Sequence, residues 1–265
     1  GSPIKKGTLM KRPDLAKTLS LIADKGGKAF YEGEIARKFM LAMELNEGLI
    51  TDDDLKNYKS RFSAPIGINY RGQRVFTHGP PSGGGIVLLT ALNILENFDL
   101  KKHGSNSSTT YHLLAEALRR GHNNRSHHVG DPSFYKTPIE NFLSSERTKQ
   151  LAQNINFKKA TPSSVVKPLK VRNESKDTTH YSIIDEEGNS ISNTYTLGSS
   201  FGSGVTIPGT GILMNNQMNN FAYRYGDQSI KGRAASPGNR FEPGKRPMST
   251  MAPTMVFDQN DNLSL

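Results

Sequence analysis

Between residues 158 and 177 the chain changes character, and that change limits the folds open to it. Upstream, apolar residues recur at helical spacing. Downstream of residue 178 they alternate, or fall in short runs separated by glycines. The segment from Lys158 to Lys176 holds Pro162 and Pro168, five lysines, one arginine and three serines. It offers few apolar anchors and reads as a mobile, solvated linker ending at Asp177. Helices on one side and a run of strands on the other predict a layered α+β architecture.

Upstream, Asp14 is expected to cap a helix whose apolar face is Leu15, Leu19 and Ile22 and which ends at Gly26-Gly27. A second helix is predicted from Glu34 to Leu45, with Ile35, Phe39 and Met43 on one side and Gly48 as its stop. Thr51 to Asp54 has the form of a capping box for a short third helix, with Leu55 and Tyr58 facing inward. Ile66, Ile68 and Tyr70, then Arg71-Gly72-Gln73, then Val75 and Thr77 predict a β-hairpin. Further helices are predicted over residues 86–97, over 108–120 (face Tyr111, Leu114, Ala115, Leu118) and over 145–155. Strands are predicted over 179–186, 190–197, 204–207, 211–215 and 254–258.

Composition removes several chemistries. There is no cysteine among 265 residues, which excludes disulfides, thiolate catalysis and Cys-based zinc sites. No apolar run approaches the roughly 20 residues of a membrane span. The net charge of +10 would suit a polyanion-binding face, but the basic residues are scattered without interleaved aromatics. No nucleic-acid partner is therefore expected. Gly83-Gly84-Gly85 lacks the Lys-Ser/Thr of a phosphate loop. His127-His128 lacks a carboxylate cluster and reads as no metal site. Gly1-Ser2 has the look of a vector-derived pair. Asn106, Asn124, Asn173 and Asn262 each begin an Asn-X-Ser sequon.

The junction Asp177-Thr178 is where chemistry could sit, although Thr-Thr pairs are common and the pattern alone is a weak signal. A threonine at the start of a strand is ordinary while it stays inside the chain. If the chain is cut before it, the freed α-amine, with a pKa of about 7.7–8.0, becomes a base for its own hydroxyl. The hydroxyl of Thr178 would attack the Asp177 carbonyl, an N-to-O shift would form an ester, and water would release it.

The surroundings of this junction resemble a known family. Thr178-Thr179-His180-Tyr181-Ser182, Gly188-Asn189, Thr194-Tyr195-Thr196-Leu197, Phe201-Gly202-Ser203-Gly204, Gly211 to Met218 and Lys245 to Thr254 are similar to the start of the small subunit of γ-glutamyltransferases (γ-glutamyltranspeptidases). Upstream, Gly33 to Ala36, Gly48 to Thr51, Asp54 to Tyr58, Pro80 to Gly85, Asn93-Ile94-Leu95 and Gly130-Asp131-Pro132 extend the resemblance over nearly the whole chain, in the family's order. It implies an N-terminal nucleophile hydrolase with an αββα sandwich, incomplete in this chain. It also implies autoproteolysis between Asp177 and Thr178, giving a large-subunit part (1–177, linker 158–177) and a small-subunit part (178–265) that form a heterodimer.

By the same resemblance, Thr178 is the nucleophile and Thr196 the second hydroxyl that orients it. Gln217 contacts the α-amino group of the substrate, and Ser249 and Thr250 grip its α-carboxylate. The implied substrates are glutathione and other γ-glutamyl amides, with water or amino acids as acceptors and no metal or cofactor. A periplasmic or secreted location is implied by bacterial relatives. Two positions depart from the pattern. Gly198 stands where many members carry asparagine, and Asn220 where they carry the aspartate that pairs with the α-ammonium. A neutral amide gives up the charge-assisted bond, so donors lacking the amine, such as glutaryl amides, become candidates.

The family pattern places a carboxylate-binding arginine before residue 1 and a Gly-Gly oxyanion hole after Leu265. The 265 residues alone are therefore expected to be inactive or nearly so. The alternatives are a same-fold acylase for glutaryl-type amides or poly-γ-glutamate, and a non-catalytic relative. Joint presence of Thr178, Thr196, Gln217, Ser249 and Thr250 argues against the latter.

Overall fold

The computed structural model describes residues 4–162, 178–222 and 236–264. Most of the predicted linker (residues 163–177), Asp177 and the Asn173 sequon lie outside the described residues. Helices α1 (Pro13–Lys25), α2 (Lys28–Tyr31), α3 (Glu34–Leu45) and α4 (Asp52–Asn57) come first, followed by strands β1 (Ile66–Tyr70) and β2 (Gln73–Thr77). Then come α5 (Gly84–Leu95), α6 (Leu100–His103), α7 (Ser108–His128), α8 (Ile139–Leu143) and α9 (Ser145–Gln153). After residue 178 the strands are β3 (Thr179–Ile184), β4 (Ser190–Tyr195), β5 (Thr206–Ile207), β6 (Ile212–Leu213) and β7 (Thr254–Phe257). The helix-to-strand switch thus falls where the periodicity places it.

The described chain forms two compact units, residues 1–62 with 197–216, and residues 63–196 with 217–265. Each unit draws on both sides of residue 177, so compactness and the expected cut partition the chain differently.

In the first unit, α3 buries Ile35, Ala36, Phe39 and Ala42, and a cluster of Ala36, Phe39, Ala42, Leu55 and Ile207 forms its core. Gly48 N–H closes α3 on the Met43 carbonyl at 2.8 Å. Thr51 and Asp54 make the capping box, each side chain accepting from the other's N–H. Helix α1 starts at Pro13, whose missing N–H costs nothing at that position. Asp14 therefore lies in the first turn and is not the cap. Leu19 is 56% exposed, and the buried residue of α1 is Thr18, whose hydroxyl donates to the Thr210 carbonyl at 2.8 Å. Tyr58 also points outward, stacked on Tyr31.

In the second unit, β1, β2 and β7 form an antiparallel sheet in that order, with Val75 paired to both Ile68 and Val256. The β1–β2 turn is Arg71-Gly72, both at positive φ, so Gln73 already belongs to β2. One core cluster joins Ala91, Ile94 and Leu95 of α5 with Leu113 and Ala117 of α7 and Ala152 and Ile155. Another joins Ile86, Val129, Phe142 and Met248.

Helix α7 departs from most of its predicted face, of which Leu118 alone packs on the first core cluster, and from its predicted end. Tyr111 and Leu114 are exposed, and the helix runs on to His128. It buries Leu113, Glu116, Ala117, Arg120, Gly121 and Asn124 instead. The charged members of that stripe are paired with each other, which is how a polar face can turn inward. Burial also removes Asn124, 2% exposed, as a glycan acceptor. His127 and His128 close α7, with the His127 ring nitrogen Nδ1 against the Asn123 carbonyl and the His128 ring against Phe142. No group of three His, Cys, Asp or Glu placed to hold a metal occurs among the described residues. No described helix is long and apolar enough to cross a membrane.

Candidate functional site

Strands β3 and β4 pair antiparallel from Thr179↔Tyr195 to Ile184↔Ser190. Thr178 and Thr196 are the residues next to the first pair, just beyond the end of the ladder. Thr178 is exposed and Thr196 half-buried. The hairpin turn is fixed by Asp185, whose carboxylate accepts from the side chain and backbone of Asn189 and from Glu187 N–H. The Asn189 side chain first, then these backbone donors, hold the Asp185 carboxyl below the usual range. The sequence feature Gly188-Asn189 thus sets the register of the strand pair that the two threonines flank.

From Thr196 a continuous set of hydrogen bonds leads to the other expected site residues. Gln217 Nε2 donates to the Thr196 carbonyl at 3.3 Å. Asn220 Nδ2 donates to Gln217 Oε1 across one 3₁₀ turn, Gln217–Asn220. The Asn220 carbonyl accepts from Asn239 Nδ2 at 2.6 Å, and Asn239 Oδ1 accepts from Met248 N–H at 2.8 Å. Met248 directly precedes Ser249 and Thr250. Thr196, Gln217, Asn220, Ser249 and Thr250 are therefore brought into one connected part of the second unit. Gly198 belongs to the first unit, where it is buried at φ +97.

Ser249 is gripped on both sides. Its N–H donates to the Pro81 carbonyl at 3.0 Å, and its own carbonyl accepts from Gly83 N–H at 2.9 Å. Its hydroxyl donates to Ser82 Oγ at 3.0 Å, and the Ser82 hydroxyl is bonded onward to the Met251 carbonyl. Pro80 to Gly85 is thus more than a turn before α5. It forms the wall against which Ser249 to Met251 lies, and Ser82 is a site residue that sequence reasoning passed over. Asp131 adds a second fastening, since its buried carboxylate accepts from the N–H of Arg246 at 2.8 Å and of Ser133 at 3.0 Å. From the far side, Thr254 N–H donates to Ser192 Oγ in β4 at 3.2 Å.

The glycine at position 84 is a steric requirement of this wall. A Cβ there would lie 2.3 Å from the Thr250 carbonyl oxygen and 2.6 Å from that of Met251. Those are backbone atoms and cannot swing aside. Gly84→Ala is expected to displace residues 249–251 and cost roughly 1–3 kcal/mol, the usual scale for overpacking. Thermal unfolding checks the cost.

The whole chain, residues 1–265, matches the family model described as gamma-glutamyltranspeptidase. The glutathione hydrolase proenzyme of Escherichia coli (strain K12) is 42% identical over 257 residues, which is 97% of this chain and 44% of that protein. The chain thus spans less than half the length of this curated relative. Among solved structures, the cephalosporin acylase from Bacillus halodurans superposes with TM-score 0.76 at 30% identity, over 94% of this chain and 42% of that one. Helicobacter pylori gamma-glutamyltranspeptidase superposes with TM-score 0.58 at 35% identity, over 65% of this chain and 52% of that one. The fold is accordingly the α+β fold of N-terminal nucleophile hydrolases; the order of helices and strands pointed to the α+β layering, and the family resemblance to the hydrolase fold.

Proposed function

The chain belongs to the γ-glutamyltranspeptidase family, and on that footing we propose that it forms the catalytic junction of a γ-glutamyl acyltransferase and hydrolase. Cleavage between Asp177 and Thr178 would free the Thr178 amine and leave residues up to 177 and from 178 as the two subunits of a heterodimer. Thr178 Oγ would then attack the γ-carbonyl of glutathione or another γ-glutamyl amide, its own amine taking the proton. The departing amine would leave a γ-glutamyl ester on Thr178, and water or an amino acid would take up the acyl group. Thr196 would orient the nucleophile, its hydroxyl being able both to donate and to accept. Gln217 and Asn220 would receive the α-amino end of the donor. Ser249 and Thr250 would receive its carboxylate, Ser249 turning its proton from Ser82 to the ligand. The periplasm or the cell exterior is the proposed location, on the resemblance to bacterial relatives.

One observation carries this reading. The hydrogen-bond series starts at Thr196, beside the β3–β4 pair, and runs through Gln217, Asn220 and Asn239 to Met248, joining the amine-binding and carboxylate-binding candidates. Intact mass of the complete gene product is the first test. Two pieces divided before Thr178 support the reading, and a single stable chain without γ-glutamyl anilide turnover opposes it.

A second reading is favoured by Asn220. Its side chain donates to Gln217, so this part of the pocket is a pair of neutral amides where the family pattern has a carboxylate. An acylase preference for glutaryl-type amides follows, in line with the likeness to a cephalosporin acylase. We expect kcat/KM for a γ-glutamyl anilide and its glutaryl analogue to lie within about tenfold of each other. Asn220→Asp is expected to shift that ratio toward the γ-glutamyl donor by about tenfold or more, the scale of one charge-assisted hydrogen bond. A strong γ-glutamyl preference in the unaltered protein would remove this second reading.

A further inference from the structure

Asn239 stands out among the groups around the pocket because it touches both halves of it. The residue is fully buried at the end of the short 3₁₀ turn Pro237–Asn239. Its own backbone is fastened, its N–H donating to the Ser236 carbonyl at 3.0 Å and its carbonyl accepting from Ala222 N–H at 2.9 Å. Its side chain is then held out rigidly. Nδ2 reaches the carbonyl of Asn220 at 2.6 Å, and Oδ1 takes the N–H of Met248 at 2.8 Å.

We infer that Asn239 is a positioning residue for donor selection, setting the separation between Gln217-Asn220 and Ser249-Thr250. That separation decides which span from α-amino group to α-carboxylate fits. The inference rests on the reading of those four residues as the donor pocket. The chemistry of the position is demanding. The group must donate on one side and accept on the other within one small planar unit, which a primary amide does. An aliphatic side chain would leave the Asn220 carbonyl and the Met248 N–H without these bonds, at the cost of unsatisfied buried groups. A carboxylate would still accept from Met248 but would present a second acceptor to the Asn220 carbonyl and repel it. A neutral carboxylic acid restores the donor, so Asn239→Asp is a switch that pH can operate. Burial raises the pKa of such an acid, which brings the transition toward neutral pH.

The experiment uses the complete gene product, purified in its processed form. KM and kcat for a γ-glutamyl anilide are measured between pH 5 and 8.5 for the unaltered protein and for Asn239→Asp. The expected result is a KM raised roughly ten- to hundredfold at the alkaline end, the range for one buried hydrogen bond lost. KM should fall back toward the unaltered value as the pH drops, while kcat changes less than KM. A residue that only supports the fold would lower the melting temperature and the amount of active protein and leave KM alone. That outcome, or a KM without pH-dependent recovery, overturns the inference. If Asn239→Asp yields no folded protein, Asn239→Thr takes its place. Its hydroxyl can still accept from Met248, and an unchanged KM in that variant overturns the inference equally. If the unaltered protein neither cleaves nor turns over the anilide, the underlying reading fails instead, and the two failures are told apart by that control.

Discussion

Thr178→Ala is expected to leave the complete gene product as one uncleaved chain and to remove acyl transfer. Both effects would have one cause, because in the proposed mechanism the same hydroxyl attacks first the Asp177 carbonyl and later the donor amide. Alanine at 178 keeps the strand start and leaves the β3–β4 ladder from Thr179 onward intact, so folding should be little changed. The expected loss in kcat is on the order of 10⁴-fold or more, the scale found when the nucleophile of an acyl-transfer enzyme is deleted. Thr178→Ser should cleave and retain measurable turnover, since it keeps the hydroxyl and, after the cut, the adjacent amine. Gel mobility and anilide hydrolysis read the two effects separately. An alanine variant that still divides into two pieces would show that another group makes the cut.

The largest expected effect on stability lies elsewhere, on α7. Glu116 is 1% exposed and Arg120 5% exposed, and they form an ion pair at 2.5 Å. The Glu116 carboxylate also accepts from Thr161 N–H at 3.0 Å and from the Thr161 hydroxyl at 2.6 Å. Arg120 reaches the Asn154 carbonyl at 3.3 Å, and Arg119 bonds the Thr161 carbonyl. The chain is thereby tied to α7 just before residue 163. Removing one partner leaves a buried charge without its counterion, a loss of 3–5 kcal/mol in other proteins. Glu116 lies beneath the half-buried Thr161 rather than deep in the core, so we expect about 3 kcal/mol for Glu116→Ala. The double variant Glu116→Leu with Arg120→Met should recover part of it, because neither charge then remains buried.

The same pair predicts a pH dependence. Burial pushes the Glu116 carboxyl up, but the bonds from Thr161 and Arg120 outweigh burial and hold it below its ordinary value. A carboxyl lowered on folding contributes stability that is complete above its unfolded pKa of about 4.3 and is lost as pH falls through the lower folded value. The stability difference between the unaltered protein and Glu116→Gln should therefore be steady near neutrality and shrink in acid. Urea unfolding at several pH values measures it. A difference that grows on acidification would contradict the assignment.

How far the sequence could be read depended on what kind of interaction decided each feature. Local signals held. The capping box at Thr51-Asp54, the stop at Gly48 and the turn at Arg71-Gly72 depend only on near neighbours in the chain, and each is found where its residues predict it. Features decided by distant partners were not legible. Apolar periodicity put Tyr111, Leu114, Ala115 and Leu118 on the inner face of α7; Leu118 does pack on the core, but Tyr111, Leu114 and Ala115 are exposed, and the ion pair and Thr161 turn Glu116 and Arg120 inward. Leu19 faces outward for a related reason. In α1 it is Thr18, bonded to Thr210, that takes the buried position.

The site shows the same division. Gln217, Asn220, Ser249 and Thr250 were named through family resemblance, and the hydrogen bonds connect the turn bearing the first two to the segment before β7 that bears the others. Ser82 and Asn239 carried no signal of their own. A serine after two prolines and an asparagine after Pro-Gly both read as turn residues. Their role emerges only when residues 82 and 249, or 220, 239 and 248, are close in space.

The central claim is that Thr178 becomes an N-terminal residue and carries the acyl group. It is tested most directly by quenching the complete gene product during turnover of a γ-glutamyl donor and sequencing the pieces by mass spectrometry. The account predicts a piece whose first residue is Thr178 and which bears one γ-glutamyl group as an ester on that residue. An acyl group on any other side chain, or turnover by a chain still continuous through Asp177 and Thr178, would contradict it.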